Sequence, residues 1–593
     1  MANTSIAVLP FLNLSRDAEQ EYLSDGITEE IIHALTKVDG LKVTSRRSSF
    51  YFKNSDWPLQ KIAEDLGVAV ILEGSLRLSG DMLRIKAELI QVEDDSQFWS
   101  ESWDRKLANI FEIQDEIALL IADKLREQFG HMEFSDHLAT PQTLNLSAYE
   151  HELKARFHFN KWNAQDVRIA IDHWQKALEL YPALTDAHTG LADAFGFLAT
   201  TQAGDYLKSW QLAVEHTHKA LALNAHSAAA WYQMANIEFF THANFQGAFE
   251  NVSKAVDYDP HYPEGLQFLS FLYMLHGDLD KARVYLKRAL DRDPLNQETL
   301  FYHAYLSYRE GKFAPAETLL ESLVERNGQN LPALITRCYV WLKMGKAAQT
   351  FSFLNSEQSA FIPEGDRIGL LCLVYGQIKD DKYSQTFAEL KKQAEEPMAF
   401  QQHSYYFLAC VQAGDMEAAS QVLEKVKSER SAILLLAFSE PLAEDFKQAE
   451  AFPKWHQTLY GSLNASAKPK EKSKLLDEDT EASYRAKLEK YMEEEEPYLN
   501  PQLSLRSLGE ALEIHPNHLS WLLNNSFGLN YNQFINSWRI QVFKRLALDP
   551  ANTHISLLGL AYESGFNSKT VFNSSFKKET GLSPKAWLAE QKA

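Results

Sequence analysis

The sequence predicts a multidomain protein with an N-terminal α/β domain, a central all-α solenoid and a C-terminal all-α domain. Three observations predict this fold class. Short apolar strands alternate with amphipathic helices in residues 1–130, a 34-residue step recurs in residues 148–445, and two helix-turn-helix patterns occupy residues 501–593. A chain of 593 residues is long enough for several such domains, and we expect a charged linker and helix at 463–500 between the last two.

The first 130 residues carry the pattern of an α/β domain. In residues 82–92 the apolar side chains alternate with Arg84, Lys86 and Glu88, which is typical of a half-buried strand. A polar triplet, residues 24–26, precedes a helix expected at 29–38, so we predict a loop and helix cap there; an anion site at the helix N-terminus is the open alternative. Further strands are expected at 6–11, 41–44, 68–78 and 98–103, and further helices at 58–66 and 110–129.

The central segment repeats with a step of 34 residues. Ala255 and Ala289 are one step apart, as are Pro260 and Pro294, and each step predicts one helix–turn–helix unit. We expect most of its many aromatic residues to pack between repeats, and a minority to line a concave peptide-binding groove. Beyond about residue 354 the pattern decays into degenerate repeats.

The C-terminal segment contains two helix-turn-helix units. In the first, Ser504 can cap a helix and Pro516 starts the next, while in the second Gly565 is the turn glycine and Asn567 or Ser568 the cap. Leu519, Leu522 and Leu523 face inward in the first unit, and Val571, Phe572 and Phe576 are the expected anchors of the second. The residues predicted to face outward and contact DNA are Asn517, His518, Trp521, Asn524, Ser568, Lys569, Thr570, Asn573, Ser574 and Lys577.

A helical pattern at 532–548 connects the two units. At 1.5 Å per residue it is about 26 Å long. Helices that enter successive major grooves on one face of B-DNA lie about 34 Å apart. One rigid connecting helix therefore suits a single chain that reads two grooves.

Charge and composition restrict the classes of function. The net charge is −21, which disfavours non-specific nucleic-acid binding by the whole chain. From residue 501 on, nine basic and six acidic residues give +3, which leaves −24 for residues 1–500. Cys338, Cys372 and Cys410 are widely spaced and suggest reduced core thiols. With no signal peptide or membrane-length apolar run in the pattern, we expect a cytoplasmic chain without a membrane span.

All three segments resemble known families. The phrases Gly565-Phe566-Asn567-Ser568-Lys569 and Gly581-Leu582-Ser583-Pro584 carry a resemblance to the AraC-type DNA-binding domain, although His515 stands where that family usually has Ser, and Trp521 and Ser574 where it often has a polar or basic residue. The 34-residue units resemble tetratricopeptide repeats. Residues 1–130 resemble the TolB amino-terminal-like domain through AVLPF from Ala7 and EYLSDGITEEII from Glu21.

These resemblances imply a bacterial, sequence-specific transcription regulator of the AraC family. Double-stranded DNA is the expected partner of the last domain. The repeats are expected to bind a protein or peptide, and formation of a homodimer is left open. The alternative is a scaffold that organises an envelope or signalling complex, with a vestigial DNA reader. The motif search finds no pattern for a catalytic site, a metal or a cofactor, so the chain is not expected to be an enzyme.

Overall fold

A computed structural model describes residues 4–15, 20–135, 138, 145–161, 163–201, 203–463 and 475–592. The N-terminal α/β domain is built on a mixed sheet of six strands in the order β3-β1-β4-β5-β6, with β2 paired to β4. Its elements are β1 (Thr4–Val8), β2 (Leu12–Asn13), α1 (Glu21–Thr36), β3 (Leu41–Val43), α2 (Arg46–Phe50), α3 (Leu59–Leu66), β4 (Val70–Ser79), β5 (Met82–Gln91), β6 (Ser96–Lys106) and α4 (Ile110–Phe129).

Burial explains how the strands are ordered. β1 runs parallel to both of its neighbours and is buried at every position, as expected of a central strand covered on both faces. β4, β5 and β6 form antiparallel ribbons, and β5 alternates buried and exposed residues as its sequence predicts. α1 and α4 cover one face of the sheet, and α3 packs on the other.

The first helix differs from the prediction. The sequence suggested a loop or an anion site at Ser24, Asp25 and Gly26, but α1 begins at Glu21 and all three residues are buried within it. The Asp25 carboxylate accepts a hydrogen bond from Lys53 Nζ at 2.6 Å, and Gly26 leaves room for Leu153. The triplet is therefore a packing and ion-pair position, and both the predicted loop and helix cap and the anion-site alternative were wrong.

The described residues of the central solenoid form eight antiparallel helix pairs. The pairs continue past residue 354, where the sequence pattern decays, and buried alanines and leucines still pack between the helices there. Its helices are α5 (Leu146–Phe159), α6 (Ala164–Leu180), α7 (Thr185–Thr200), α8 (Tyr206–Leu223), α9 (Ala228–His242), α10 (Phe245–Tyr258), α11 (Pro263–His276), α12 (Leu279–Arg292), α13 (Gln297–Arg309), α14 (Phe313–Arg326), α15 (Leu331–Lys343), α16 (Ala347–Leu354), α17 (Glu364–Ile378), α18 (Tyr383–Gln393), α19 (Phe400–Gln412) and α20 (Met416–Leu423).

After the last pair the chain turns back across the repeats. The returning helices are α21 (Lys425–Ser428), α22 (Ala432–Ser439), α23 (Glu444–Lys447) and α24 (Phe452–Tyr460). The apolar α22 packs against α9, α11 and α19, and Tyr305 donates a hydrogen bond to Glu440 Oε1 at 2.7 Å just beyond it. The returning chain therefore covers part of the surface formed by α9, α11 and α19, each of which is the first helix of its pair. The three cysteines are free and buried in the same core.

The regular elements described in residues 475–592 are all helices. They are α25 (Glu478–Glu494), α26 (Leu505–Leu512), α27 (Pro516–Ser526), α28 (Tyr531–Leu548), α29 (Leu557–Glu563), α30 (Lys569–Thr580) and α31 (Pro584–Lys592). The first part of the expected linker, residues 464–474, lies outside the described residues. In the parts of the chain that the structure describes, no helix has the length and apolar character needed to cross a membrane.

Candidate nucleic-acid interface

The first helix-turn-helix unit is formed by α26 and α27, and local hydrogen bonds fix where each helix begins. The Ser504 hydroxyl accepts from the Ser507 backbone N–H at 3.1 Å, and the Ser507 hydroxyl accepts from the Ser504 N–H at 3.0 Å, which makes a reciprocal cap. Pro516 is the first residue of α27. His515 precedes it, and its Nδ1 accepts from the Asn517 N–H at 3.2 Å. The imidazole thus performs the capping that a serine usually performs.

The α25 helix completes the core of this unit. Leu488 and Met492 are fully buried against the leucines of α26 and α27, in one cluster with Leu508, Leu519 and Leu522. The apolar side of α25 is therefore an intramolecular docking surface.

The connecting helix α28 belongs to both units. Asn530 and Gln533 form a reciprocal cap at its start. Phe534 and Ile535 lie in the core of the first unit, while Ile540 and Phe543 lie in the core of the second. At 18 residues the helix is about 27 Å long. Because its two halves are anchored in different cores, it holds the two units at a fixed separation.

Gly565 and Arg539 tie the second unit to the first. Gly565 has φ +93°, and a β-carbon there would overlap the Tyr498 carbonyl oxygen. Arg539 Nε donates to the same oxygen at 2.8 Å and its Nη2 donates to the Asn500 carbonyl at 2.9 Å. Burial lowers the pKa of Arg539. The turn glycine predicted from sequence is thus required by both its backbone angle and a close approach.

The second unit presents the exposed helix α30. The Ser568 hydroxyl accepts from the Val571 N–H at 3.4 Å, so Ser568 caps the helix. Phe572 and Phe576 are buried against Phe543, whereas Val571 is 40% exposed. The prediction that Val571 anchors the helix was wrong, because at about 100° per residue it lies a quarter turn from Phe572, outside the buried stripe.

The predicted residues of α30 are all on its solvent-exposed side. Lys569, Thr570, Asn573, Ser574 and Lys577 are exposed. Thr570, Ser574 and Lys577 lie roughly opposite Phe572, while Lys569 and Asn573 lie on one flank. Exposed Val571 occupies the other flank, which sequence reasoning missed. Valine can contact a thymine methyl group, so this position adds an apolar contact to a polar surface.

The predicted residues of α27 have a different environment. Asn517 accepts from Arg126 Nη1 at 2.6 Å, on α4 of the N-terminal domain, and donates to the Phe134 carbonyl at 2.9 Å, in the segment that follows α4. His518 and Trp521 are half-buried, and the His518 ring lies 6.2 Å from that of Tyr484. Asn524 Nδ2 donates to the Ser520 carbonyl at 2.9 Å. Ser520, which the sequence did not single out, is 3% exposed.

The first helices of the repeats carry a second polar site around Arg47 of the N-terminal domain. Its Nη2 lies 3.8 Å from Glu264 Oε1. Asp193 is also close enough to interact with this guanidinium. Burial raises the pKa of both Asp193 and Glu264, and Arg47 opposes that rise. Half-buried Tyr232 belongs to the same environment, because its pKa is raised by burial and by Asp193 and Glu264. An acidic and aromatic surface therefore faces one arginine.

Comparison with known families identifies three domains. A helix-turn-helix domain model matches residues 508–590. The model described as HilA/YgeH-like transcriptional regulator, second domain, matches residues 2–120, and a tetratricopeptide repeat model matches residues 239–300. The chain thus carries an AraC-type helix-turn-helix domain, a regulator-type N-terminal domain and tetratricopeptide repeats. The TolB-like resemblance is not among these matches.

Curated relatives match parts of the chain. "Putative adenylate cyclase 3" of Rhizobium meliloti (strain 1021) is 36% identical over 209 residues, which are 35% of this chain and 34% of that protein. "Uncharacterized HTH-type transcriptional regulator SACOL0084" of Staphylococcus aureus (strain COL) is 31% identical over 98 residues, 16% of this chain and 13% of that protein. The chain therefore spans about a third of the first relative and about an eighth of the second.

Two solved structures are partly similar to this chain, and the first is a tetratricopeptide repeat protein. One from Parabacteroides merdae ATCC 43184 has a TM-score of 0.31 at 15% identity, over 47% of this chain and 98% of that one. Yeast Tom70 has a TM-score of 0.30 at 14% identity, over 60% of this chain and 76% of that one.

Proposed function

We propose that this chain is a sequence-specific DNA-binding transcription regulator. The observation that carries the proposal is α30, a capped helix anchored by Phe572 and Phe576 with Lys569, Thr570, Asn573, Ser574 and Lys577 exposed on its outer side. A helix of this kind fits the major groove, where its N-terminal residues reach base edges. The match to a helix-turn-helix domain over residues 508–590 supports the same reading.

We assign different roles to the residues along α30. Asn573 can bond bidentately to adenine, and Lys569 can reach the acceptors of guanine. Lys577 lies further along the helix, where it neutralises a backbone phosphate. Ser568, Thr570 and Ser574 supply short polar contacts beside them. In the first unit we assign DNA contacts to Asn517, His518, Trp521 and Asn524.

The other domains would sense signals and bind partners. We keep domain limits of 1–130, 148–445, 463–500 and 501–593. The acidic and aromatic surface around Glu264 suits a protein or peptide that offers a basic side chain in place of Arg47. Titration of the full chain with its selected DNA would show whether it binds as a monomer or a homodimer.

A scaffold with a vestigial reader is the competing function. It predicts partner capture by the repeats without sequence-specific DNA binding. The exposed polar side of α30 favours the regulator, since a helix that has lost its DNA target has no need to keep lysines and an asparagine there.

Selection of double-stranded DNA from a random pool tests the proposal. The full chain should enrich one motif, and a variant with Lys569→Ala, Asn573→Ala and Lys577→Ala together should not. Lys585→Ala, an exposed lysine on α31, is the matched control and should enrich the same motif. Equal recovery of unrelated sequences by the wild-type chain and the triple variant would contradict the proposal and favour the scaffold.

A further inference from the structure

The C-terminal end of α4 and the segment after it lie against the first helix-turn-helix unit. Arg126 is 1% exposed, and its Cζ lies 4.3 Å from the centre of the Phe134 ring. Its Nη1 donates a hydrogen bond to Asn517 Oδ1. Asn517 also donates to the Phe134 carbonyl. Both ends of the Asn517 amide are therefore bonded, one to α4 and the other to the segment that follows it.

Two carboxylates bind donors on this unit that are of the kind that bind DNA phosphates. Glu127 Oε1 accepts from the Leu505 N–H at 2.9 Å, at the N-terminus of α26. Asp123 Oδ2 accepts from Arg506 Nε at 3.1 Å in the next residue of that helix. Helix N-terminal amides and arginines are the usual donors to phosphate oxygens in protein–DNA complexes. The N-terminal domain thus presents anions to the same donors that a DNA backbone would use.

The contact extends to the start of the connecting helix. Asn530 Nδ2 donates to the Gln128 carbonyl at 2.7 Å, and Asn532 Nδ2 donates to Gln128 Oε1 at 2.9 Å. At Gly130 a β-carbon would lie 2.7 Å from Asn524 Oδ1, so this glycine lets the chain approach α27 closely. Residues 123–134 therefore touch α26, α27 and α28 together.

We propose that residues 123–134 are a DNA-mimicking surface that masks the first helix-turn-helix unit. This inference rests on the proposed DNA-binding function. Asn517 cannot bond to a base while it holds Arg126, and the donors at Leu505 and Arg506 cannot reach a phosphate while they hold Glu127 and Asp123. The second unit has its outer face exposed in the same arrangement. The masked chain reads one groove through α30, and the released chain reads two.

Glu127→Lys tests the mask without changing the DNA reader. The lysine places a positive charge against the positive end of α26 and should separate the two domains. Operator binding should become roughly tenfold tighter or more, as one added base-reading contact implies, and the footprint should lengthen by about one helical turn of DNA. Glu116→Lys is the control. Glu116 is an exposed residue of α4 that pairs with Arg105, so this variant makes the same charge change away from the contact. It should leave the operator affinity and the footprint unchanged.

Asn517→Ala supplies the decisive comparison. In the wild-type chain it should not weaken operator binding, because Asn517 contacts no DNA there and its loss also removes the bond to Arg126. In the Glu127→Lys chain it should cost roughly tenfold. Asn573→Ala should weaken binding in both chains. Arg126→Met, which removes the bond to Asn517 and keeps an aliphatic chain on Phe134, is the second releasing variant if Glu127→Lys does not fold.

The outcomes separate the two claims. An unchanged footprint in both releasing variants, or an equal loss from Asn517→Ala in masked and released chains, overturns the mask and leaves the proposed function standing. If no variant binds any sequence preferentially and Asn573→Ala changes nothing, the proposed function fails, and the mask fails with it.

Discussion

At the scale of single residues, Asn573 and Lys577 lie one turn apart on α30 and offer DNA different chemistry. Asn573→Ala should cost roughly 1–3 kcal/mol on the operator and relax the preference at one base pair. Lys577→Ala should weaken all sequences alike and lower the salt slope by about one unit. Titrations at several salt concentrations, on operator and scrambled DNA, measure both. The roles are wrong if Asn573→Ala weakens both DNAs equally while Lys577→Ala alters base preference.

Gly565 and Gly528 form a matched pair of turn glycines. Both have positive φ, +93° and +67°, but only Gly565 approaches another backbone segment. Gly528→Ala should cost about 1 kcal/mol, and Gly565→Ala roughly 2 kcal/mol or more because the methyl group meets the Tyr498 carbonyl. Hydrogen exchange on peptides from α28 to α30 measures the local opening. Equal effects at the two glycines would argue against the close approach.

Glu152 predicts a pH dependence of stability. Burial raises the pKa of its carboxyl to about 8, against the opposing charge of Arg156, whereas a glutamate in the unfolded chain titrates near 4.3. The folded chain therefore binds more protons between these values, and its stability should fall as pH rises through them. Urea melts followed by tryptophan emission should show a weaker fall in Glu152→Gln. Glu150→Gln, on the same helix, should follow the wild-type chain; parallel curves for all three would contradict the prediction.

At the scale of elements, Ala255 lies at a close crossing between repeat helices. It is fully buried on α10, and Ala289, one 34-residue step further on, is fully buried on α12. Ala255→Trp should overpack the crossing and cost roughly 1–3 kcal/mol. Ala314→Trp, at an exposed position of α14, is the control. Hydrogen exchange in α9–α12 should rise in the first variant only, and unchanged exchange would count against this register.

Long periodic elements could be predicted from sequence, whereas the structure of short polar stretches could not. The helix expected at 110–129 is α4, because twenty residues of one amphipathic period leave little room for another structure. The start of α1 was missed because Ser24, Asp25 and Gly26 are turn-type residues. Only the fold shows that Lys53 neutralises the aspartate and that Leu153 fills the space above the glycine. Val571 was misassigned because an apolar residue beside two phenylalanines looks like core.

At the scale of the whole molecule, the contacts between domains decide what each site can do. Arg126 and Asn517 are 391 residues apart in sequence. No local pattern links them, so sequence reasoning placed Asn517 on a free reading face. The same holds for α22, whose apolar run covers the repeats rather than leaving an open groove. In both cases one segment of the chain covers a surface that the sequence predicted to be open to a binding partner.

Site-specific crosslinking measures the central claim most directly. A photoreactive side chain placed at position 573 of the full chain should crosslink to operator bases, whereas one at position 517 should do so only when Glu127→Lys is also present. A probe at position 585 is the control and should crosslink weakly in both chains. Crosslinks from 573 with none from 517 in the otherwise wild-type chain are the result that this account predicts. Absence of crosslinks from 573 to specific DNA would contradict it.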